Sequence, residues 1–333
     1  MAKKKKTSTS PAAPLTGDER HGIVTRNTGS AYTVRFGDGS TANCRIKGNF
    51  RIKGIRTTNP VAVGDHVTVR AAADDADYIT AVSPRRNYII RRASNLSKES
   101  HILAANLDLA ILVATLREPE TPLQFIDRFL ATAEAYNVTP MLVLNKADTW
   151  DDDDRLLGEA VATLYRSVGY GVLILSARTG AGLDELREAT KEKISLLAGN
   201  SGVGKSSLIN ALVPGADLRT GRISAIHHTG MHTTTFSEMI PLPYGGDIID
   251  IPGVRGFGTI DFAPEEVSHF FPEIFRIGRD CRYGDCLHTG EPGCAVIPAV
   301  ERHEISESRY ASYLSILEEA REEAGADKYR KPF

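Results

Sequence analysis

Two stretches decide how this chain reads: "ISLLAGNSGVGKSSLIN" at residues 194–210 and "NKAD" at residues 145–148. Within the first, "GNSGVGKS" fits the pattern G-x-x-x-x-G-K-[ST] at Gly199, Gly204, Lys205 and Ser206. It lies between an apolar run that reads as a strand and a run with helical spacing, where a phosphate loop belongs. The glycines let the backbone from Gly199 through Asn200, Ser201, Gly202, Val203 and Gly204 close around phosphate oxygens. Lys205 then neutralises the β and γ oxygens, the Ser206 hydroxyl ligates Mg²⁺, and Ser207 completes the set. A Gly-rich turn is the plain alternative.

The second stretch ends another expected strand and suits a guanine base. The Asp148 carboxylate can accept two N–H groups from guanine, a donor pair that adenine lacks. Asn145 would support the ring's Hoogsteen edge and Lys146 would lie along its face, with Ala147 between them and the aspartate. "SAR" at residues 176–178 also follows a strand, so backbone N–H groups at Ser176 and Ala177 can reach the guanine carbonyl. Taken singly, an Asn-Lys-x-Asp loop is ordinary turn chemistry; beside a phosphate loop it points to GTP.

Two further elements complete a GTP site. "DIPG" at residues 250–253 follows the run "DIID", so Asp250 can hold Mg²⁺ through water and the Gly253 N–H can sense the γ-phosphate. "HTTT" at residues 232–235 precedes it, and Thr234 is the expected second Mg²⁺ ligand when GTP is bound, although Thr runs are also common in strands. The order is clamp, SA loop, phosphate loop, switch Thr, DxxG, whereas GTP-binding domains usually begin with the phosphate loop. A circular permutation reconciles the two, because domain termini often lie close together and can be rejoined without changing the packed sheet.

The rest of the chain supplies the context. At 333 residues, 41% hydrophobic and 25% charged, it has ordinary globular composition and room for two or three cores. No apolar run approaches the ~18 residues of a spanning helix, and the basic start "MAKKKKTSTSPAAPL" has no apolar stretch behind it, so no membrane and a cytoplasmic location are expected. The net charge of −2 conceals a basic block: residues 1–100 hold 18 Lys and Arg against 8 Asp and Glu. Such a block suits a polyanion partner, and a solvated basic surface is the alternative.

Residues 1–17 read as a flexible basic tail. Residues 18–85 hold five short β runs, "GIVTR", "AYTVRF", "TANCRI", "HVTVRA" and "YITAV", which predict a small closed barrel. An OB-fold that binds RNA is preferred over an SH3-like barrel because "RIKGNFRIKGIR" at residues 45–56 interleaves five cations with Phe50. "SPRRNYIIRRASN" reads as a linker. From residue 86 to 262 strands and helices alternate, predicting a mainly parallel sheet covered on both faces; one helix is expected to bury Leu156, Leu157, Ala160, Val161, Leu164 and Tyr165. Residues 263–333 read as a helical unit, with Tyr310, Tyr313, Leu314 and Leu317 at helical spacing.

In that last unit Cys281, Cys286, His288 and Cys294 offer three thiolates and an imidazole, a closed tetrahedral set for one structural Zn²⁺. The spacing C-x4-C-x-H-x5-C is not a standard finger, so reduced cysteines beside a chance histidine remain the alternative. Cys44 reads as a barrel core residue.

The permuted order, "GNSGVGKSSLIN", "HTTT", "DIPGVRGFG", the basic barrel and "CRYGDCLHTGEPGCAV" together resemble the bacterial ribosome small-subunit-dependent GTPase A family, RsgA, over residues 20–325. The resemblance implies a circularly permuted P-loop GTPase domain with an N-terminal OB-fold barrel and a C-terminal zinc-binding helical domain. It implies a GTP hydrolase with Mg²⁺ and one zinc, working on the small ribosomal subunit and its rRNA in late maturation, and a monomer is expected. Ile251 departs from the family, which more often has Thr there, and the four-lysine tail is outside its pattern.

Val254 stands where related GTPases carry the glutamine that orients the attacking water. His232, beside the switch threonines, is the expected replacement, ahead of His227 and His228, because neutral imidazole can accept from water near neutral pH. A surface histidine in a loop is the alternative. Two rival functions stand at this point: an ATP-dependent P-loop enzyme, and a non-catalytic RNA-binding module stabilised by nucleotide.

Overall fold

The computed structural model describes residues 18–29, 31–46, 60–72, 77–92, 100–216, 237–250 and 262–329, with the backbone alone at 91, 92, 100, 101 and 326–329. The lysine tail, most of the Phe50 loop, His227, His228, His232, Thr234, Gly253 and Val254 lie outside the described residues.

The first five strands, β1 (Arg20–Asn27), β2 (Tyr32–Phe36), β3 (Thr41–Ile46), β4 (His66–Ala71) and β5 (Asp77–Val82), form the barrel. They pair in the order β1-β2-β3-β5-β4, and β4 returns to β1 to close it, with β3 and β5 parallel. That order is the OB-fold. Alternation drives the inner face: Val24, Val34, Cys44, Val67, Val69 and Ile79 are buried together, and burial pushes the Cys44 thiol up to about 12, as a small core hydrophobe.

Two further strands, β6 (Tyr88–Arg92) and β7 (Ser100–Ala105), pair antiparallel as a hairpin. This corrects the linker reading of "SPRRNYIIRRASN". Its charges mask a strand whose Ile89 is fully buried against the next domain's core.

The central sheet follows. It contains β8 (Leu109–Ala114), β9 (Thr139–Leu144), β10 (Gly171–Ile174), β11 (Ile194–Ala198), β12 (Glu238–Pro241) and β13 (Asp247–Asp250). They lie in the order β10-β9-β8-β11-β13-β12, all parallel except β12. Helices α1 (Leu123–Ala135) and α2 (Asp152–Val168) pack on one face, and α3 (Leu183–Thr190) and α4 (Lys205–Leu212) on the other. β8 is buried along its whole length, as expected of a strand covered on both faces. Helix α2 departs from its apolar stripe. Val161 and Tyr165 are buried, but Leu156 and Leu157 are 73% and 52% exposed, because the buried face runs instead through Asp154, Gly158, Val161, Ala162 and Tyr165.

Barrel and central sheet are continuous. Strand β1 pairs with β12 through Arg26 and Glu238, and Arg35 of β2 grips Asp247 of β13 with two hydrogen bonds of 2.8 and 2.7 Å. Elsewhere on this seam, Gly64 sits at φ +91, and a Cβ there would lie 2.1 Å from the Ala105 carbonyl oxygen, so only glycine fits.

Beyond residue 262, helices α5 (Pro272–Gly278), α6 (Val296–Glu301) and α7 (Glu307–Tyr329) carry a separate core, in which Phe271, Tyr313 and Leu317 pack with Ala131 of α1. The junction is polar at its heart. Arg309 of α7 is fully buried and hydrogen-bonds Glu273 of α5 at 2.7 and 3.0 Å and Asp127 of α1 at 2.9 Å, while Tyr165 donates to the same Asp127 at 2.7 Å. Burial alone would lower the Arg309 pKa, but the Glu273 and Asp127 carboxylates reverse this and raise it. Breaking a buried pair on one side strands the remaining charge. Arg309→Ala should therefore cost about 3–5 kcal/mol of unfolding free energy in urea titrations; a loss within ~0.5 kcal/mol, typical of a surface substitution, would show that the junction does not depend on this arginine.

Candidate nucleotide and metal sites

Parallel strands bring the expected loops to one edge. Leu144 ends β9 before "NKAD", Ile174 ends β10 before "SAR", Ala198 ends β11 before the phosphate loop, and Asp250 ends β13. All four lie at the carboxyl edge of the sheet, where α/β proteins place ligands.

The loops are tied by Asn145, which is 1% exposed. Its Nδ2 donates to the Val203 carbonyl at 2.8 Å, and its Oδ1 accepts from the Ala177 N–H at 3.1 Å. One side chain thus joins the clamp, the phosphate loop and the SA loop. The approach is so close that a Cβ at Gly204, which has φ +98, would lie 2.3 Å from Asn145 Nδ2.

Around this tie, the Ser176 hydroxyl donates to Asp148, and Arg178 lies 2.5 Å from its other oxygen. The Ser176 hydrogen bond, helped by the Arg178 charge, holds the Asp148 carboxyl below its usual range, so it stays an acceptor near neutral pH. Lys146 sits at φ +68, turning the chain sharply between Asn145 and Asp148, and its Nζ donates to the Glu118 carbonyl at 2.5 Å. Arg178 and the Glu118 carbonyl were not foreseen from sequence. The first flanks a motif and could have been flagged; the second is a backbone atom with no sequence signal.

In the phosphate loop, Lys205 Nζ donates to the carbonyls of Gly199 at 2.6 Å and Asn200 at 3.0 Å, beneath the loop's N–H groups. Burial lowers the Lys205 pKa and Asp250 opposes the shift; burial raises the Asp250 pKa and Lys205 opposes that. Asp250 Oδ1 is buried without a hydrogen-bond partner among the described residues. An orphaned carboxylate oxygen facing a phosphate loop suits a hydrated dication, so these residues fit Mg²⁺. Ser206 and Ser207 follow Lys205 in the first turn of α4.

The second site is the cysteine cluster. The ligand atoms of Cys281, Cys286, His288 and Cys294 all lie within 4.8 Å of one another and could hold a metal ion. His288 Nδ1 is 3.5 Å from Cys281 Sγ and 3.7 Å from Cys294 Sγ. Burial lowers the His288 pKa, leaving the neutral imidazole a metal needs, and pushes the Cys286 thiol up to about 12, a cost that a bound dication would remove. The loop is braced from outside. Tyr310 and Tyr313 of α7 donate to the carbonyls of His288 at 2.6 Å and Leu287 at 2.7 Å, and the Glu291 carboxylate accepts from the N–H groups of Leu287, Thr289 and Gly290.

Known proteins show the same plan. The RsgA GTPase family model matches residues 82–260, and the RsgA N-terminal domain model matches residues 21–79. The chain belongs to the RsgA GTPase family. It is 57% identical over 317 residues to the small ribosomal subunit biogenesis GTPase RsgA of Porphyromonas gingivalis, covering 94% of this chain and 99% of that protein. To the protein of the same name from Bacteroides fragilis it is 55% identical over 312 residues, with coverage of 94% and 99%. Among solved structures, YjeQ from Thermotoga maritima matches with TM-score 0.72 and 35% identity over 91% of this chain and 98% of that one. YloQ, described as a circularly permuted GTPase, matches with TM-score 0.70 and 29% identity over 95% and 97%. Membership of a GTPase family makes this chain a GTP hydrolase and sets aside the ATP-dependent and non-catalytic readings.

The Asn145 tie makes a testable claim. Asn145→Ala would leave the Val203 carbonyl and Ala177 N–H unpaired in a buried place, at a cost of about 1–3 kcal/mol. Amide hydrogen exchange should accelerate in the phosphate and SA loops and stay unchanged in the barrel. Parent-like exchange in both loops would show that something else holds them.

Proposed function

We propose that this chain binds the small ribosomal subunit in the cytoplasm and hydrolyses GTP during the subunit's late maturation, with the subunit stimulating hydrolysis. The name carried by its close relatives supports the partner. The Asn145 tie carries the nucleotide reading, because it holds Asp148 beside the phosphate loop before any ligand arrives.

In this reading Asp148 accepts the guanine N1 and N2 donors, Asn145 turns its remaining N–H toward the Hoogsteen edge, the Lys146 stem and Ala147 flank the base, and Ser176 and Ala177 meet its carbonyl. The backbone from Gly199 to Gly204 surrounds the phosphates, and Lys205 swings from its two carbonyls onto the β and γ oxygens. Ser206, Asp250 and Thr234 would hold Mg²⁺, which neutralises charge on the transferring phosphoryl group. Gly253 reports the γ-phosphate, and His232 orients the attacking water, since Val254 has no polar atom to do so. The cysteine cluster holds one structural zinc, a fit for three thiolates and an imidazole. The chain acts as a monomer away from membranes; no described helix is long and apolar enough to cross one.

Asp148→Asn should lose about 100-fold or more in GTP affinity and gain affinity for xanthine nucleotides, since two charge-assisted hydrogen bonds are worth roughly 3–6 kcal/mol. Unchanged selectivity in nucleotide titrations would remove the clamp assignment. His232→Ala should lower turnover roughly 100-fold at unaltered GTP affinity, and parent-like turnover with and without small subunits would clear His232 of a catalytic role. Small subunits should raise turnover of the full chain well above its basal rate, with an effect that fades steeply as salt rises. Because the barrel is joined to the central sheet by the β1–β12 pairing and the Arg35–Asp247 grip, this is best tested on intact protein rather than a truncation, and absent stimulation would sink the ribosomal reading.

A further inference from the structure

Beside the metal cluster lies a cleft of about 200 Å³, walled by Glu265, His269, Phe275, Arg279, Tyr283 and Asp285 together with the metal loop itself. Phe275 and Tyr283 are 44% and 45% exposed, which makes this cleft the place of two of the four large hydrophobic side chains exposed among the described residues. His269 and Phe275 meet edge to face at 4.8 Å and 70°, and the Arg282 guanidinium lies 5.4 Å over the Tyr283 ring. These rings contribute little to the domain core, where Phe271 and Tyr313 do the packing.

Charge sharpens the picture. The described arginines elsewhere are mostly committed to carboxylates, from Arg20, Arg35 and Arg85 through Arg178 and Arg309. Arg279 lines the cleft, Arg282 lies over the Tyr283 ring and Arg276 precedes Arg279 on the same stretch; all three are exposed and make no ion pair among the described residues, despite nearby Asp280 and Asp285. Unpaired guanidinium groups around solvent-facing rings form a stacking platform with phosphate anchors.

We propose that this cleft binds one unpaired nucleotide of single-stranded RNA, its base stacked on Tyr283 and Phe275 and its phosphates on Arg279 and its two arginine neighbours. The occupant is single-stranded because a paired base has no free face to offer and an A-form groove does not expose one. The Glu265 and Asp285 carboxylates repel phosphate but accept from base N–H groups, which orients the base inward and the backbone outward. Metal folding and RNA binding are thereby coupled: the loop that carries Cys281 and Cys286 also carries Tyr283. This rests on the rRNA reading above and names where on the metal-bearing domain one nucleotide would sit.

The test uses the full, metal-loaded chain and a mixed-sequence RNA 12-mer carrying 4-thiouridine, single-stranded or annealed to its complement. Tyr283→Ala should weaken single-strand binding by about 5- to 100-fold, the range for losing one stacked base, with Tyr283→Phe near the parent. Photocrosslinks should fall in the peptide containing Tyr283, and metal content and GTP affinity should be unchanged in both variants. Parent-like affinity of Tyr283→Ala together with crosslinks confined to the barrel would overturn the proposal while leaving small-subunit stimulation intact. Should the parent fail to bind both the single-stranded RNA and small subunits, the ribosomal reading falls and this proposal with it.

Discussion

The constraint on which the rest of this structure depends is the parallel register of four neighbouring strands. Ile111 of β8 pairs with both Leu197 of β11 and Met141 of β9, and Leu197 in turn pairs with Asp250 of β13. Parallel strands in register end on the same edge, so loops that are remote in sequence become neighbours. The "NKAD" loop, the phosphate loop and Asp250 meet there because of strand position, whatever the order of connection. Circular permutation therefore leaves the site untouched: it moves the chain ends, while the side-chain packing that fixes strand order is unchanged.

What permutation does alter is where the sensing segment leads. Asp250 ends a strand that lies between the phosphate-loop strand and β12, and β12 is bonded to the barrel through β1. Three residues before Asp250, Asp247 is held by Arg35 from the barrel. On its other side the chain proceeds toward the metal-bearing unit, which Arg309 locks to α1. The barrel thus grips the DxxG strand through a bidentate arginine, while the metal-bearing unit grips α1 through a buried one. A partner bound to the barrel would load the DxxG strand through that stiff connection.

The legible parts of the sequence are those whose chemistry is local. Eight contiguous residues specify the phosphate loop, and four ligands within fourteen residues specify the metal cluster, so both were readable without the fold. Alternation within short runs revealed every barrel strand, and the OB-fold order follows from the β1–β4 closure that alternation alone does not encode. Where the sequence misled, a long-range effect outweighed a local one. The strand holding Ile89 is hidden by four flanking arginines, and its partner β7 lies beyond a polar segment. Leu156 and Leu157 keep perfect helical spacing, yet the face that packs runs through Asp154 and Gly158, where Arg117 and the Trp150 ring meet the helix. Arg309 is the clearest case, since a lone arginine on an amphipathic helix reads as surface until Asp127 and Glu273 arrive from 182 and 36 residues away.

Asn145 shows why a motif can be found from sequence while its physics is missed. Read alone, its amide is a ligand contact. In the fold it is first a structural crosslink, because the Val203 carbonyl and the Ala177 N–H are buried polar groups that need a partner. An aspartate there could not donate to the carbonyl, and a leucine could satisfy neither group. The side chain must offer one donor and one acceptor in a single plane, which among residues of this length only asparagine does. Pre-setting the clamp against the phosphate loop means that a nucleotide spends little of its binding free energy on assembling the site. The Asp148 charge is likewise fixed by Ser176 and Arg178 before any ligand arrives.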